Sequence, residues 1–286
     1  MTTTTTAERT ARPSKRDRRF AERYGPWAVV TGASAGIGEA IARSLAARGL
    51  NVVLVARSRE RIEQLAGDLE TAHLVRTLAV TLDLAQPDSI GQLVATTADL
   101  DVGLLVAAAG FGTSGPFLAN QIDDEIEMID VNCAAVCAQA HHFATRFAER
   151  GRGGLILLSS IVGFQGLPLA ANYAATKAYI QCLGEGLARE LGSVGVDVLT
   201  AAPGPTASGF AVRAGMRMSG ADTPDQIATP ILDALGRRAT VLPSARSKFL
   251  RWAVLTMPRR SSRVWIMGNV MKGMTKHRED AGGVST

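Results

Sequence analysis

Tyr173 and Lys177 stand four positions apart in the run NYAATKAYIQCLGEGLARELG, among residues that are otherwise small and apolar. Positions i and i+4 of a helix share one face, so the phenol and the ammonium would occupy one small volume. An adjacent ammonium favours the phenolate and lowers the tyrosine pKa from about 10, making a proton donor or acceptor that works near neutral pH. Such a pair also arises on helices that do no chemistry, so the rest of the chain has to decide.

A second chemical signal is TGASAGIG, Thr31 to Gly38. Gly32 permits a tight turn, Gly36 lets backbone approach a pyrophosphate, and Gly38 allows close helix packing while the helix N-terminus faces the anion. Ser34 and Ile37 lie in the same turn and count with the glycines as cofactor contacts. About twenty residues on, an NAD(H) site would offer an acid to the ribose 2′-hydroxyl. The chain has Ala56, Arg57, Ser58 and Arg59 there. A guanidinium with a neighbouring hydroxyl suits a 2′-phosphate, so Arg57 points to NADP(H); the alternative is that these arginines only solvate a helix start.

The elements that must position these groups alternate regularly. WAVV leads into the glycine turn and an amphipathic helix, and NVVLVA, HLVRTLAVTLDL, VGLLVAAAG, GGLILLSS and VDVLTAAPG follow as strands, with helical stretches between them. VGLLVAAAG is apolar on both faces, as the centre of a parallel sheet requires. DDEIEMIDVNCAAVCAQAHHFATRFAERG reads as one long helix. The pattern predicts an α/β, doubly wound parallel sheet of the Rossmann kind. Its bounds are residues 25–240, after a disordered basic arm (1–24) and before a helical, basic C-terminal extension (241–286).

Composition narrows the function classes. The chain has 286 residues, 47% hydrophobic, and no stretch that reads as a secretory signal or a bilayer span, which makes a cytoplasmic location the expectation. Its net charge of +5 is uneven: residues 1–24 hold seven Lys/Arg against three acids, 25–233 hold thirteen against twenty-one, and 234–278 hold eleven against none. An acidic body with basic ends argues against a phosphate-tracking groove, so nucleic acid is not an expected partner. Cys133, Cys137 and Cys182 lack metal-ligand spacing and read as small packing residues, and His141 and His142 lack a third ligand. No metal site is expected.

Taken together, these residues resemble the short-chain dehydrogenases/reductases. TGASAGIG, AAAG (Ala107–Gly110), Asn132 in DVNCAA, Ser160 at the strand exit, YAATK and PGPT (Pro203–Thr206) occur in the family's order, with Ser160 thirteen positions before Tyr173. The resemblance implies Tyr173 as general acid or base and Lys177 as the group that depresses its pKa and holds the nicotinamide ribose. It implies Ser160 as the group that polarises the substrate carbonyl, and Asn132 as the holder of a water linking Lys177 to solvent. Asp83 would contact adenine, and Gly110, Pro203, Gly204 and Thr206 would line the cofactor. Where the family has Asn-Asn-Ala-Gly, this chain has Ala107-Ala108-Ala109-Gly110, which removes side-chain hydrogen bonds there. A homo-oligomer is expected, and a catalytically idle NADP(H) sensor or scaffold is the alternative to an enzyme.

After PGPT, a segment containing Phe210, Met216 and Met218 favours a lipophilic ketone or alcohol as substrate. Residues 245–278 combine Trp252, Trp265, four Met and many cations without an acid. That composition suits peripheral contact with an anionic membrane, a dimer-packing arm, or a cap over the active site.

Overall fold

The computed structural model describes residues 14–215, 220–256 and 259–281. Seven strands form one parallel sheet: β1 (Trp27–Thr31), β2 (Asn51–Ala56), β3 (Thr77–Thr81), β4 (Val102–Ala107), β5 (Gly153–Leu158), β6 (Val196–Ala201) and β7 (Thr240–Val241). Their spatial order is β3-β2-β1-β4-β5-β6-β7. The order reverses between β1 and β4, which leaves a crevice outside the carboxyl ends of those strands, where such sheets bind ligands. β1, β4 and β5 are buried along their whole length, which explains their unbroken apolar composition.

Helices cover both faces. On one side α1 (Lys15–Tyr24), α2 (Gly36–Ala47), α3 (Arg59–His73) and α9 (Pro224–Ala234) close a core built around Ile41, Leu45, Leu54, Leu104 and Ile231. On the other, α4 (Ser89–Thr96), α6 (Ala135–Glu149) and α7 (Ala171–Leu191) close a core around Val29, Leu93, Leu105, Phe143 and Phe147. The remaining helices are α5 (Ile122–Ile129), α8 (Gly209–Arg213), α10 (Ala245–Leu255) and α11 (Arg260–Ala281).

Two expectations need correction. Residues 15–24 are a helix, not part of a disordered arm; Ser14 and Asp17 form a capping box at its start. Phe20 and Tyr24, one turn apart, are buried, the Arg48 guanidinium lies 4.9 Å from the Phe20 ring centroid, and Tyr24 donates to Asp197 at 2.6 Å. Residues 1–13 lie outside the described residues. The single long helix after β4 is three pieces, because a π-helical turn, Asp130–Ala134, separates α5 from α6. A π turn rotates side chains out of the regular α register, and this one carries Asn132. Cys182, expected in packing, is exposed.

Candidate active site

A cavity of about 940 Å³ runs along the carboxyl ends of the strands, from the glycine turn to the C-terminal helices. All the glycine-turn positions Gly32, Ser34, Gly36, Ile37 and Gly38 line it. Gly32 and Gly36 have φ of +69° and +62°, which other residues rarely adopt. A Cβ on Gly38 would collide with the Gly32 carbonyl, so α2 could not start where it does. The turn therefore leaves a bare backbone cradle at the N-terminus of a 12-residue helix, which fits a pyrophosphate.

At the end of β2, Arg57, Ser58 and Arg61 line the same cavity. Ser58 is the N-cap of α3 but makes no side-chain capping bond, so its hydroxyl is not spent on the helix. Arg57 pairs with Glu127 at 3.5 Å, and Arg213 reaches the same Glu127 oxygen at 3.5 Å while its guanidinium sits 3.7 Å from the Phe111 ring centroid. Arg61, Glu127 and Arg213 were not anticipated from sequence. Arg61 had a local signal, four positions after Arg57; the other two are brought here by chain segments remote in sequence. Asp83 also lines the cavity and accepts from the Ala85 amide at 3.1 Å.

The chemistry lies at the middle of the cavity. Ser160, Tyr173 and Lys177 all line it. The two serines near the end of β5 differ in use: Ser159 donates to the Lys177 carbonyl at 2.9 Å and locks α7 onto the sheet, whereas Ser160 makes long contacts, 3.4 Å from the Val162 amide and 3.5 Å to the Pro203 carbonyl, and also faces the Tyr173 phenol. Ser160 thus retains hydrogen-bonding capacity toward the cavity. Lys177 donates from Nζ to the Leu158 carbonyl at 2.9 Å, and Nζ lies 5.8 Å from the Tyr173 ring centroid.

This geometry changes the account of the tyrosine. Burial raises the Tyr173 pKa well above its ordinary value, with the Ser160 hydroxyl pulling the other way; the Lys177 ammonium is not what sets it. Burial also pushes Lys177 down to about 8, partly opposed by Cys133. Two buried groups thus disfavour charge for the same reason, loss of water. The phenol is held neutral, the form that can donate a proton.

Asn132 is 1% exposed. Its Oδ1 accepts from the Phe111 amide at 3.1 Å, and its Nδ2 donates to the Phe111 carbonyl at 2.9 Å and to Thr176 at 3.1 Å. Both amide hydrogens are committed to protein, so the side chain clamps the loop after β4 onto α7. A Cβ on Gly110 would lie 2.8 Å from Asn132 Oδ1 and 3.4 Å from Lys177 Nζ, which accounts for a glycine there. At the AAAG departure, the Ala109 amide donates to Thr31 at 3.3 Å, so backbone still ties β4 to the glycine turn. Glu125, not singled out from sequence, binds Thr113, Asn120 and Asn172 at 2.7 Å each and fixes the residue before Tyr173.

Pro203, Gly204 and Thr206 line the cavity beneath α8, whose Phe210 ring stacks 5.0 Å from Tyr173. Met216 and Met218 lie outside the described residues. Of the readings open for the C-terminal extension, the cap has direct support: Met267, Met271 and Met274 of α11 pack with Leu167, Ala174 and Phe210 and line the cavity. No helix among the described residues is long and apolar enough to cross a membrane.

A parallel doubly wound sheet with a glycine cradle at its switch point, and a partly buried phenol and hydroxyl beside a buried ammonium around one cavity, defines a nucleotide-dependent oxidoreductase of the α/β class. The short chain dehydrogenase family model matches residues 26–217. The chain belongs to that family. It is 38% identical to a 7beta-hydroxysteroid dehydrogenase of Clostridium sardiniense over 191 residues, covering 65% of this chain and 72% of that protein. Among solved structures, one described as giving insights into 7beta-hydroxysteroid dehydrogenase stereoselectivity is 29% identical with a TM-score of 0.80, covering 87% of this chain and 98% of the other. A short-chain dehydrogenase from Sphingobium yanoikuyae in complex with NADPH is 30% identical with a TM-score of 0.73, covering 82% and 97%.

Proposed function

We propose that this oxidoreductase transfers hydride between NADP(H) and a carbonyl or secondary alcohol on a lipophilic substrate, with steroid-like ketones ahead of fatty-acyl ones. The observation that carries the reading is the convergence of Ser160, Tyr173 and Lys177 on one cavity with the glycine cradle. The similarity to a hydroxysteroid dehydrogenase supports the substrate class. Arg57, Ser58 and Arg61 favour a 2′-phosphate, and the NADPH-bound relative is consistent with that choice.

When bound, the cofactor supplies or takes the hydride. Ser160 accepts the task of holding the substrate oxygen, for which its weakly engaged hydroxyl is suited. Tyr173, neutral through burial, gives its proton to that oxygen during reduction and takes one back during oxidation. Lys177, charged below about pH 8, would hold the cofactor ribose, and the Ser160 hydroxyl is the group that eases formation of the phenolate. Asn132 keeps the Phe111 loop in place against α7. Phe210 and the α11 methionines exclude water and offer an adaptable apolar wall.

The test is fluorescence titration with NADPH and NADH, followed by loss of reduced-nicotinamide absorbance with a panel of bulky ketones. Preferential NADPH binding with turnover is expected. Binding without turnover of any panel member would favour the cofactor-sensor alternative.

Two assembly readings accompany this proposal. Ile122, Ile126 and Ile129 expose one face of α5, which favours a homo-oligomer; light scattering at the monomer mass would refute it. Phe249, Trp252 and Trp265 are exposed beside the acid-free basic stretch 234–278, which favours peripheral contact with anionic lipid. Equal sedimentation with neutral and anionic vesicles would exclude a charge-driven contact.

A further inference from the structure

We propose that Arg251 is the specificity residue for an oxyanion carried by the substrate, so that the natural substrate is an apolar ketone or alcohol with a carboxylate or sulfate at its far end. The inference deepens the proposed lipophilic-substrate reading and rests on it.

Arg251 lies on α10 and lines the cavity. Its guanidinium carbon sits 4.3 Å from the ring centroid of Phe164, and its Nε is buried with no hydrogen-bond partner. The described ion pairs do not include it, and residues 234–278 contain no acid that could neutralise it locally. A cation held over an aromatic ring, with no described ion pair, leaves its fork of donors open to a ligand. The N–H groups of a guanidinium match the two oxygens of a carboxylate or sulfate.

The spacing sets the length of the molecule. Phe164 ends the 3-10 turn Ile161–Phe164 that follows Ser160 directly. At about 2 Å rise per residue, that turn places the Phe164 backbone on the order of 8 Å from the serine that would hold the reacting oxygen. The apolar body between them would rest on Val162, Leu167 and the α11 methionines.

The experiment compares three matched oxo-steroids with NADPH: one with a side-chain carboxylate, its methyl ester, and a sulfate ester of the same nucleus. Each is assayed with the native chain, Arg251→Met and Arg251→Lys. For the native chain, kcat/KM for at least one anionic substrate should exceed that for the methyl ester about tenfold or more through KM, as expected for a charge-assisted hydrogen bond. Arg251→Met should erase that preference, so that the ratio of kcat/KM for the anionic substrate to that for its methyl ester within the variant falls to about one, and Arg251→Lys should restore part of it. The acid and sulfate arms tell the two oxyanions apart. A preference absent in the native chain, or unchanged in Arg251→Met, would overturn the assignment. Calorimetric binding of the acid and the ester to cofactor-loaded protein gives the same comparison without turnover. A binding preference that depends on Arg251, found without turnover, would support this assignment while refuting the redox reading; equal binding would refute the assignment itself.

Discussion

Replacing Lys177 by Met should stabilise the protein near neutral pH while destroying activity, and the gain should fade as pH rises. Lys177 is 7% exposed, and burial lowers its pKa from 10.5 to about 8. Below pH 8 the side chain is charged in both the folded and unfolded chain, so the folded state carries the full cost of burying the charge. That cost is on the order of 3 kcal/mol at about 1.4 kcal/mol per pH unit. Between pH 8 and 10.5 the unfolded chain binds the proton and the folded one does not, so this group makes stability rise with pH across that window. At pH 10 only about 1 kcal/mol of the cost is left. Methionine fills a similar volume without the charge, but it forfeits the bond to the Leu158 carbonyl, about 1 kcal/mol at any pH. The stability advantage of Lys177→Met over the native chain should therefore shrink by roughly 2 kcal/mol between pH 7 and pH 10. Titrating groups that do not interact with Lys177 drop out of the difference; Cys133, whose thiol Lys177 pulls down, is the exception. Urea unfolding of both at the two pH values reads it directly. A difference that does not change with pH, or grows with it, would refute the claim that Lys177 is held as a buried, destabilised cation.

Arg57→Asp should weaken NADPH binding by about a hundredfold and leave NADH within a few-fold, because it removes a charge-assisted contact to the 2′-phosphate and adds repulsion; paired fluorescence titrations check this, and equal losses would remove the 2′-phosphate from the account. Phe20→Ala should lower stability by about 3 kcal/mol, since it opens a void under α1 and releases Arg48; a urea midpoint that does not move would mean that α1 contributes nothing to the folded core.

Much of the framework was legible because the relevant signals are local. Six strands were expected from apolar runs bounded by turns, and the glycine turn from its place between β1 and α2. The seventh strand is only Thr240–Val241, too short to leave a pattern, and it pairs with β6 through backbone alone. Helix α1 was hidden by its charge density, although Phe20 and Tyr24 at i and i+4 were the available sign of a buried face. The π turn at Asp130–Ala134 has no local compositional mark.

The site divides the same way. The order of Ser160, Tyr173 and Lys177 placed all three on one cavity, yet the spacing argument misjudged the electrostatics. Sharing a helix face brought the ammonium near the phenol, but desolvation dominates both groups, and the ammonium donates to the Leu158 carbonyl. The partners from distant segments, Glu127 with Arg57 and Arg213 with Phe111, depend on tertiary packing that no spacing encodes. Nor could composition alone choose among a cap, a membrane contact and a packing arm for residues 245–278; the packing of Met271 against Leu167 and Ala174 favours the cap.

The most direct test of the mechanism is single-turnover reduction of a bulky ketone by NADPH with Tyr173→Phe beside the native chain, together with NADPH binding to both. The account predicts loss of the chemical step by at least about a hundredfold with the NADPH dissociation constant within about threefold, because only the proton donor is removed. A Tyr173→Phe protein that reduces the ketone at the native rate would contradict the assignment of Tyr173 as the acid.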